Sequence, residues 1–169
     1  MITIFAPLFE WVAADHHSDT VRPRNNLAKS YLAAGRMADS IPLYERRLAN
    51  CERVLGANDP KTLTSRNNLA MGYLAAGRTA EAIPLLERTL ADYERVLGAD
   101  HPITLTSRNN LAMGYRAAGR MAEAIPLLER THADSKRVLG SNHPDTKAAR
   151  EALVALTGEP NGTGTYRRT

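Results

Sequence analysis

The sequence predicts an all-α solenoid, a stack of antiparallel helix pairs, from three observations. The nine residues SRNNLAMGY at Ser65–Tyr73 recur letter for letter at Ser107–Tyr115, and a weaker copy, PRNNLAKSY, stands at Pro23–Tyr31. Landmarks keep one step of 42: Asn25, Asn67 and Asn109; Gly35, Gly77 and Gly119; Pro42, Pro84 and Pro126; Gly56, Gly98 and Gly140. Alanine and leucine dominate while aromatic residues make up only 5% of the chain, which favours helices, because strands draw on aromatic and β-branched residues. A period of this length marks a repeat architecture: a lone helix pair cannot bury its apolar face, and stacked pairs can.

Taken in chain order, the elements follow from capping and periodicity. Pro7–Ala14 reads as a shortened B-type helix forming an N-terminal cap over 1–18. The stretch APLFEWVAADHHSDT parallels IPLLERTLADYERVLGADHPIT with two helical turns removed, since Pro84 to Pro102 is 18 steps and Pro7 to Ser18 is 11. The first unit, 19–58, is placed by register. In the second, 59–100, helix A begins after Asp59-Pro60: Asp can accept from the orphan amides, and Pro suits the first helical position. It stops at Gly77. Helix B follows at once and stops at Gly98. Its Ile83, Leu86, Leu90, Tyr93 and Leu97 fall at steps of three and four, one face of a helix. Pro84 is placed in its first turn or so, where the missing N–H costs little.

The third unit, 101–142, changes few residues, among them Arg116 for Leu74, His132 for Leu90, Ser135 for Tyr93 and Lys136 for Glu94. After His143-Pro144 one more A-type helix, 143–158, caps the array. It keeps Leu153 and Leu156 for the stack but carries Glu151-Ala152 in place of the asparagine pair. The Gly- and Thr-rich tail, 159–169, reads as flexible. Ala70 and Ala82 mark close helix contacts, and Cys51 is a small buried residue on an apolar stripe.

Leu69, Ala70, Tyr73, Gly77 and Ala82 stand at the spacing of the packing positions of the tetratricopeptide repeat, which the chain resembles over about residues 7 to 157. The usual repeat is about 34 residues, and a B helix about two turns longer accounts for 42. With NNLA in helix A, the chain is similar to the kinesin light chain subclass, also found in bacterial regulatory proteins. Abundant arginine and alanine point the same way, to a GC-rich bacterial genome. The resemblance implies three repeats in a right-handed superhelix, A helices lining a concave groove, and a protein-binding role without catalysis. Two departures stand out. Arg24, Arg66 and Arg108 occupy the position where many repeats carry Trp. The Lys and Arg set that clamps a ligand's terminal carboxylate in chaperone-binding members is also replaced, by Arg22, Asn25, Asn26 and Lys29 in the first unit and by Thr64, Asn67, Asn68 and Met71 in the second.

Thr64, Asn67, Met71 and Leu74 form a stripe separate from the packing face of Leu69, Tyr73 and Ala76. Asparagine presents a donor and an acceptor, as a peptide unit does. A ladder of Asn25, Asn67 and Asn109 can therefore hold the main chain of an extended peptide, with Met71 and Met113 giving adaptable apolar contact. Lys29 and Arg116 flank the stripe and favour an acidic ligand. The competing reading is that the amides pin neighbouring helices together. It is preferred for Asn26, Asn68 and Asn110, which the helical period turns about 100° off the stripe.

The expected function is thus a non-catalytic scaffold binding a peptide or protein segment. No nucleophile–base pair, phosphate loop or metal-ligand spacing is present, so no enzyme activity, cofactor or metal is expected. His16-His17 matches the capping linker Asp100–Pro102 rather than a ligand pair. The net charge is +4 with a pI near 9.5, but acids and bases are interspersed, which argues against nucleic acid. The apolar start is too short and broken for a bilayer span or a secretion signal, so no membrane partner and a cytoplasmic location are expected. Its Ile2, Ile4, Phe5, Leu8, Phe9 and Trp11 are more than one short cap can bury, which points to a homodimer through the N-terminal segment. The rival function is a self-associating sensor or regulatory repeat module of a bacterial signalling system.

Overall fold

The computed structural model describes residues 37–158. Six helices follow one another: α1 (Met37–Leu55), α2 (Pro60–Ala75), α3 (Thr79–Leu97), α4 (Pro102–Ala117), α5 (Met121–Leu139) and α6 (Pro144–Thr157). No strand occurs among the described residues. The N-terminal cap, helix A of the first unit with Asn25 and Lys29, and the tail lie outside them. α2, α4 and α6 are the A-type helices; α1, α3 and α5 are B-type.

Local chemistry sets the boundaries. Asp59 Oδ1 accepts from Lys61 N at 2.8 Å, and Pro60 follows at the first helical position. In the next two linkers a histidine takes this role. His101 Nδ1 accepts from Ile103 N and His143 Nδ1 from Asp145 N, each at 3.2 Å. α2 and α4 end by one device: in α2, Gly77, at φ +75, donates to Leu74 O, and Arg78 donates to Tyr73 O at 2.8 Å. Gly98 ends α3 at φ 90 and ψ 157, a region open to glycine alone. Pro84 is exposed and is the sixth residue of α3, in the second turn, and the helix runs on through it.

Each helix packs on the one before and the one after it. The A-type helices also meet directly, α2 with α4 and α4 with α6, whereas successive B-type helices at most graze. A stack that is tighter on one side curves towards that side, so the A helices line the inner face.

Three apolar clusters fill the seams. Ile41, Tyr44 and Leu69 join α1 to α2; Ala70, Ile83, Leu86, Leu90 and Leu111 join α2, α3 and α4; Ala112, Leu128, Ala152 and Leu153 join α4, α5 and α6. Cys51 is buried, with its Sγ 3.4 Å from Ser65 Oγ. Ala70 and Ala82 have no exposed surface, while Ala99 is exposed. Enlarging Ala70 or Ala82 to Leu is expected to overpack these seams and cost about 1–3 kcal/mol, with Ala99→Leu close to neutral. Denaturant melts of the three variants check the helix register, which is wrong if all three melt alike.

The most buried long side chains are charged. Arg66 is 1% exposed and Arg108 0%. Arg66 Nη1 donates to Asp92 Oδ2 on α3 at 2.7 Å; its Nη2 reaches Glu52 Oε1 on α1 at 3.4 Å and Ala57 O in the linker at 3.3 Å. Arg108 repeats this one unit later, to Asp134 at 2.8 Å, Glu94 at 3.0 Å and Ala99 O at 3.4 Å. Each arginine thus ties its own A helix to the B helix before and the B helix after. This explains the departure from Trp. A guanidinium fills a large core position with its stem and satisfies itself by forking to two carboxylates.

Candidate functional site

The inner face carries the stripe. On α2, Thr64, Asn67, Met71 and Leu74 are all half-buried; on α4, Thr106 is exposed and Asn109, Met113 and Arg116 are half-buried. The stripe runs along the seam between repeats rather than standing clear of it. Leu74 packs on the cluster of Ile83 and Leu86, and Met113 on that of Leu128 and Leu153. Thr64 Oγ1 donates to Pro60 O at 2.8 Å and lies 3.0 Å from the Tyr93 hydroxyl.

The paired asparagines have a visible role at one rung. Asn110 Nδ2 on α4 donates to Asn67 Oδ1 on α2 at 3.2 Å. The flanking asparagine of one repeat therefore reaches the stripe asparagine of the repeat before, a contact made possible by the direct approach of the A helices. Stepping 42 residues on, the donor to Asn109 would be residue 152, which is Ala152. Asn109 Oδ1 is accordingly buried with no protein partner among the described residues. The structure brings Asn67, Met71, Asn109, Met113 and Arg116 onto one side; Asn25 and Lys29 lie outside the described residues.

Around the stripe the phenols are held as donors. Tyr73 donates to Glu45 Oε1 and Tyr115 to Glu87 Oε1, each at 2.8 Å. Burial first, then these acceptors, push both hydroxyls above the usual phenol range. The Arg78 and Arg120 guanidiniums lie over the same two rings at 4.5 and 4.4 Å and pair with Glu81 and Glu123. Among the described residues no group of His, Cys, Asp or Glu is placed to hold a metal ion, and no helix is long and apolar enough to cross a membrane.

Sequence reasoning missed the arginine hubs. Their signal is present but non-local: a carboxylate 26 residues on (Asp92, Asp134) and another 14 back (Glu52, Glu94), each pair 42 apart.

Comparison with known proteins gives one family. The tetratricopeptide repeat profile matches residues 19–95, 70–133 and 107–156. No curated protein matches. Among solved structures, the chain is similar to a Podosopora anserina kinesin-light-chain-type protein with nearly identical TPR-like repeats. The identity is 33% over 83% of this chain and 67% of that one, with a TM-score of 0.77. A point variant of that protein matches at 32% identity over 85% of this chain and 67% of that one, TM-score 0.69. BtubC (BKLC) from P. vanneervenii matches at 22% identity over 84% of this chain and 58% of its own length, TM-score 0.71, a likeness of fold.

Proposed function

Because the chain belongs to the tetratricopeptide repeat family, whose repeats generally mediate protein–protein interaction, we propose that it is a non-catalytic scaffold holding a peptide or protein segment along its A-helix stripe. One observation carries this reading. The stripe residues of successive repeats stay half-exposed on the inner side of the curve, while the opposite faces of the same helices are fully buried. An extended segment laid across α2 and α4 would meet Asn67, Met71, Asn109 and Met113 in turn. Arg116 makes no ion pair with a described residue, and with Lys29 it favours an acidic ligand whose binding weakens as salt rises.

The asparagines serve two ends in this reading. Asn67 presents its amide nitrogen to the ligand while its oxygen accepts from Asn110, so Asn67→Ala also costs a helix–helix bond worth about 0.5–1.5 kcal/mol. Asn109 has no such bond to lose. Peptides selected from a random library on the full chain provide the ligand for the test. Asn67→Ala with Asn109→Ala is expected to cut their affinity at least tenfold, through about 1–3 kcal/mol for each unpaired peptide group. Asn109→Ala alone is expected to weaken binding with no loss of melting temperature. Asn110→Ala is expected to lower the melting temperature and leave affinity within about twofold. Selected peptides that bind the double variant as tightly as the parent would place the ligand elsewhere.

A further inference from the structure

The arginine ladder continues into α6, the last of the described helices, where no described residue completes it. Arg150 stands 42 residues after Arg108 and 84 after Arg66. In the inner repeats this arginine is buried and receives two carboxylates. Arg150 is exposed, and no described residue makes a hydrogen bond or ion pair with it. Its neighbourhood has changed sign. Lys136 replaces the partner carboxylates Glu52 and Glu94, Lys147 replaces the buried Leu63 and Leu105, and His132 replaces Leu90. The half-buried His132 feels Lys136 and Arg150 as its charged neighbours, and these positive charges, after burial, hold its pKa below the usual range. α6 is therefore an A-type helix whose outer face presents Arg150, Lys147 and the half-buried Val154, beside Lys136 and His132 of α5.

The complement is written at the other end of the sequence. Pro7-Leu8-Phe9-Glu10-Trp11-Val12-Ala13-Ala14-Asp15 matches Pro84-Leu85-Leu86-Glu87-Arg88-Thr89-Leu90-Ala91-Asp92 at Pro, Leu, Glu, Ala and Asp, and the same five letters recur at Pro126–Asp134. In this register Asp15 is the counterpart of Asp92 and Asp134, the two aspartates that pair with the buried arginines. Phe9 falls at the place of Leu86 and Leu128, both without exposed surface. The first unit's B helix, α1, carries Asn50 at the aspartate position. Residues 1–20 contain Glu10, Asp15 and Asp19 and neither Lys nor Arg. Among the described residues Arg150 thus lacks the aspartate that Arg66 and Arg108 receive, and Asp15 supplies that residue type at the matching register position.

We propose that residues 7–19 of a second copy dock on the outer face of α6, with Asp15 against Arg150, and so complete a fourth helix pair across the two copies. A B-type helix in this stack packs on two A-type helices at once, as α3 does on α2 and α4, so the docked segment can hold its own chain and the neighbour together. The contact joins two different surfaces, head to tail, and so extends to a ring or an open row of copies rather than closing at a two-fold dimer. It gives the self-association expected from the N-terminal apolar residues a defined acceptor, and it is independent of the groove reading.

The test uses the full chain. Sedimentation velocity over a wide concentration range at low salt is expected to show species of two and more chains that dissociate at high salt. Arg150→Glu and Asp15→Arg are each expected to give a monomer. An equimolar mixture of the two variants is expected to associate again, with copies alternating, because Asp15 meets Arg150 at one contact and the two substituted residues, of opposite charge, meet at the next. The double variant, Asp15→Arg with Arg150→Glu, is expected to associate again. A parent chain that stays monomeric throughout overturns both the self-association and the docking site. A parent that associates while Arg150→Glu associates equally well keeps the first and overturns the second. Arg150 is exposed, so its variant folds whether or not Asp15→Arg does, and its result alone decides the docking site.

Discussion

Arg66→Met is expected to lower the stability of the stack by about 3 kcal/mol, at the low end of the range for removing one partner of a buried ion pair. The side chain is fully buried and joins three chain segments, so its loss takes a donor from two carboxylates and a carbonyl, of which Asp92 keeps another, Arg95 Nη2 at 3.0 Å. The magnitude stays at the low end because Glu52 is 42% exposed and Asp92 19%, and water can reach both once the guanidinium is gone. Arg66→Lys is expected to recover little, because one ammonium cannot fork to acceptors on two helices. Adding Glu52→Gln and Asp92→Asn to Arg66→Met is expected to return much of the loss, since the desolvated charges disappear together. A pH arm separates the pairing from simple packing. Burial pushes the Asp92 carboxyl up, but the guanidiniums of Arg95 and Arg66 outweigh it and hold the group below its usual range. A carboxyl depressed on folding contributes stability that is complete above its unfolded value, about 3.9, and is lost as pH falls through the folded value. The parent should therefore lose melting temperature as pH drops below about 4, and Arg66→Met should lose less over the same interval. Identical pH slopes would mean that Arg66 acts as a spacer.

How much of this was legible in the sequence depends on how local the cause is. Helix ends were readable because a cap is a short-range device: Asp59 reaches two residues on, and Gly77 adopts a backbone angle that its neighbours cannot. The apolar seams were readable because Ile83, Leu86, Leu90 and Tyr93 recur at the helical period. Arg66 and Arg108 were not. A charged residue at a core position contradicts the composition rule for interiors, and its partners sit on two other helices, so only comparison across the 42-residue step reveals them. The stripe lay in the same middle ground. Periodicity separated it from the packing face, but whether Asn110 would reach Asn67 turns on how closely α2 and α4 approach, which no single helix records.

Leu86→Ala is expected to cost about 2–5 kcal/mol, and the site offers a sharper test than the loss alone. Leu86 has no exposed surface and belongs to the cluster that joins α2, α3 and α4. Directly against it lies Gly114, in the interior of α4. A Cβ placed there would sit 3.2 Å from Leu86 Cδ1, 3.5 Å from Ile83 Cγ1 and 3.8 Å from Leu74 Cδ1. In the parent, Gly114→Ala gains about 1 kcal/mol of helix propensity but forces Leu86 to give way in a close-packed seam, so the two effects largely cancel. In the Leu86→Ala background the obstruction is gone and the new methyl enters the space left behind. The propensity gain is then kept and part of the cavity is filled. Gly114→Ala should therefore be near neutral alone and clearly stabilising beside Leu86→Ala, with a coupling of about 0.5–3 kcal/mol, as for residues in direct contact. Denaturant melts of the four proteins measure it. Strict additivity would mean that α3 and α4 do not meet at this pair, and with it the seam between the second and third repeats would have to be redrawn.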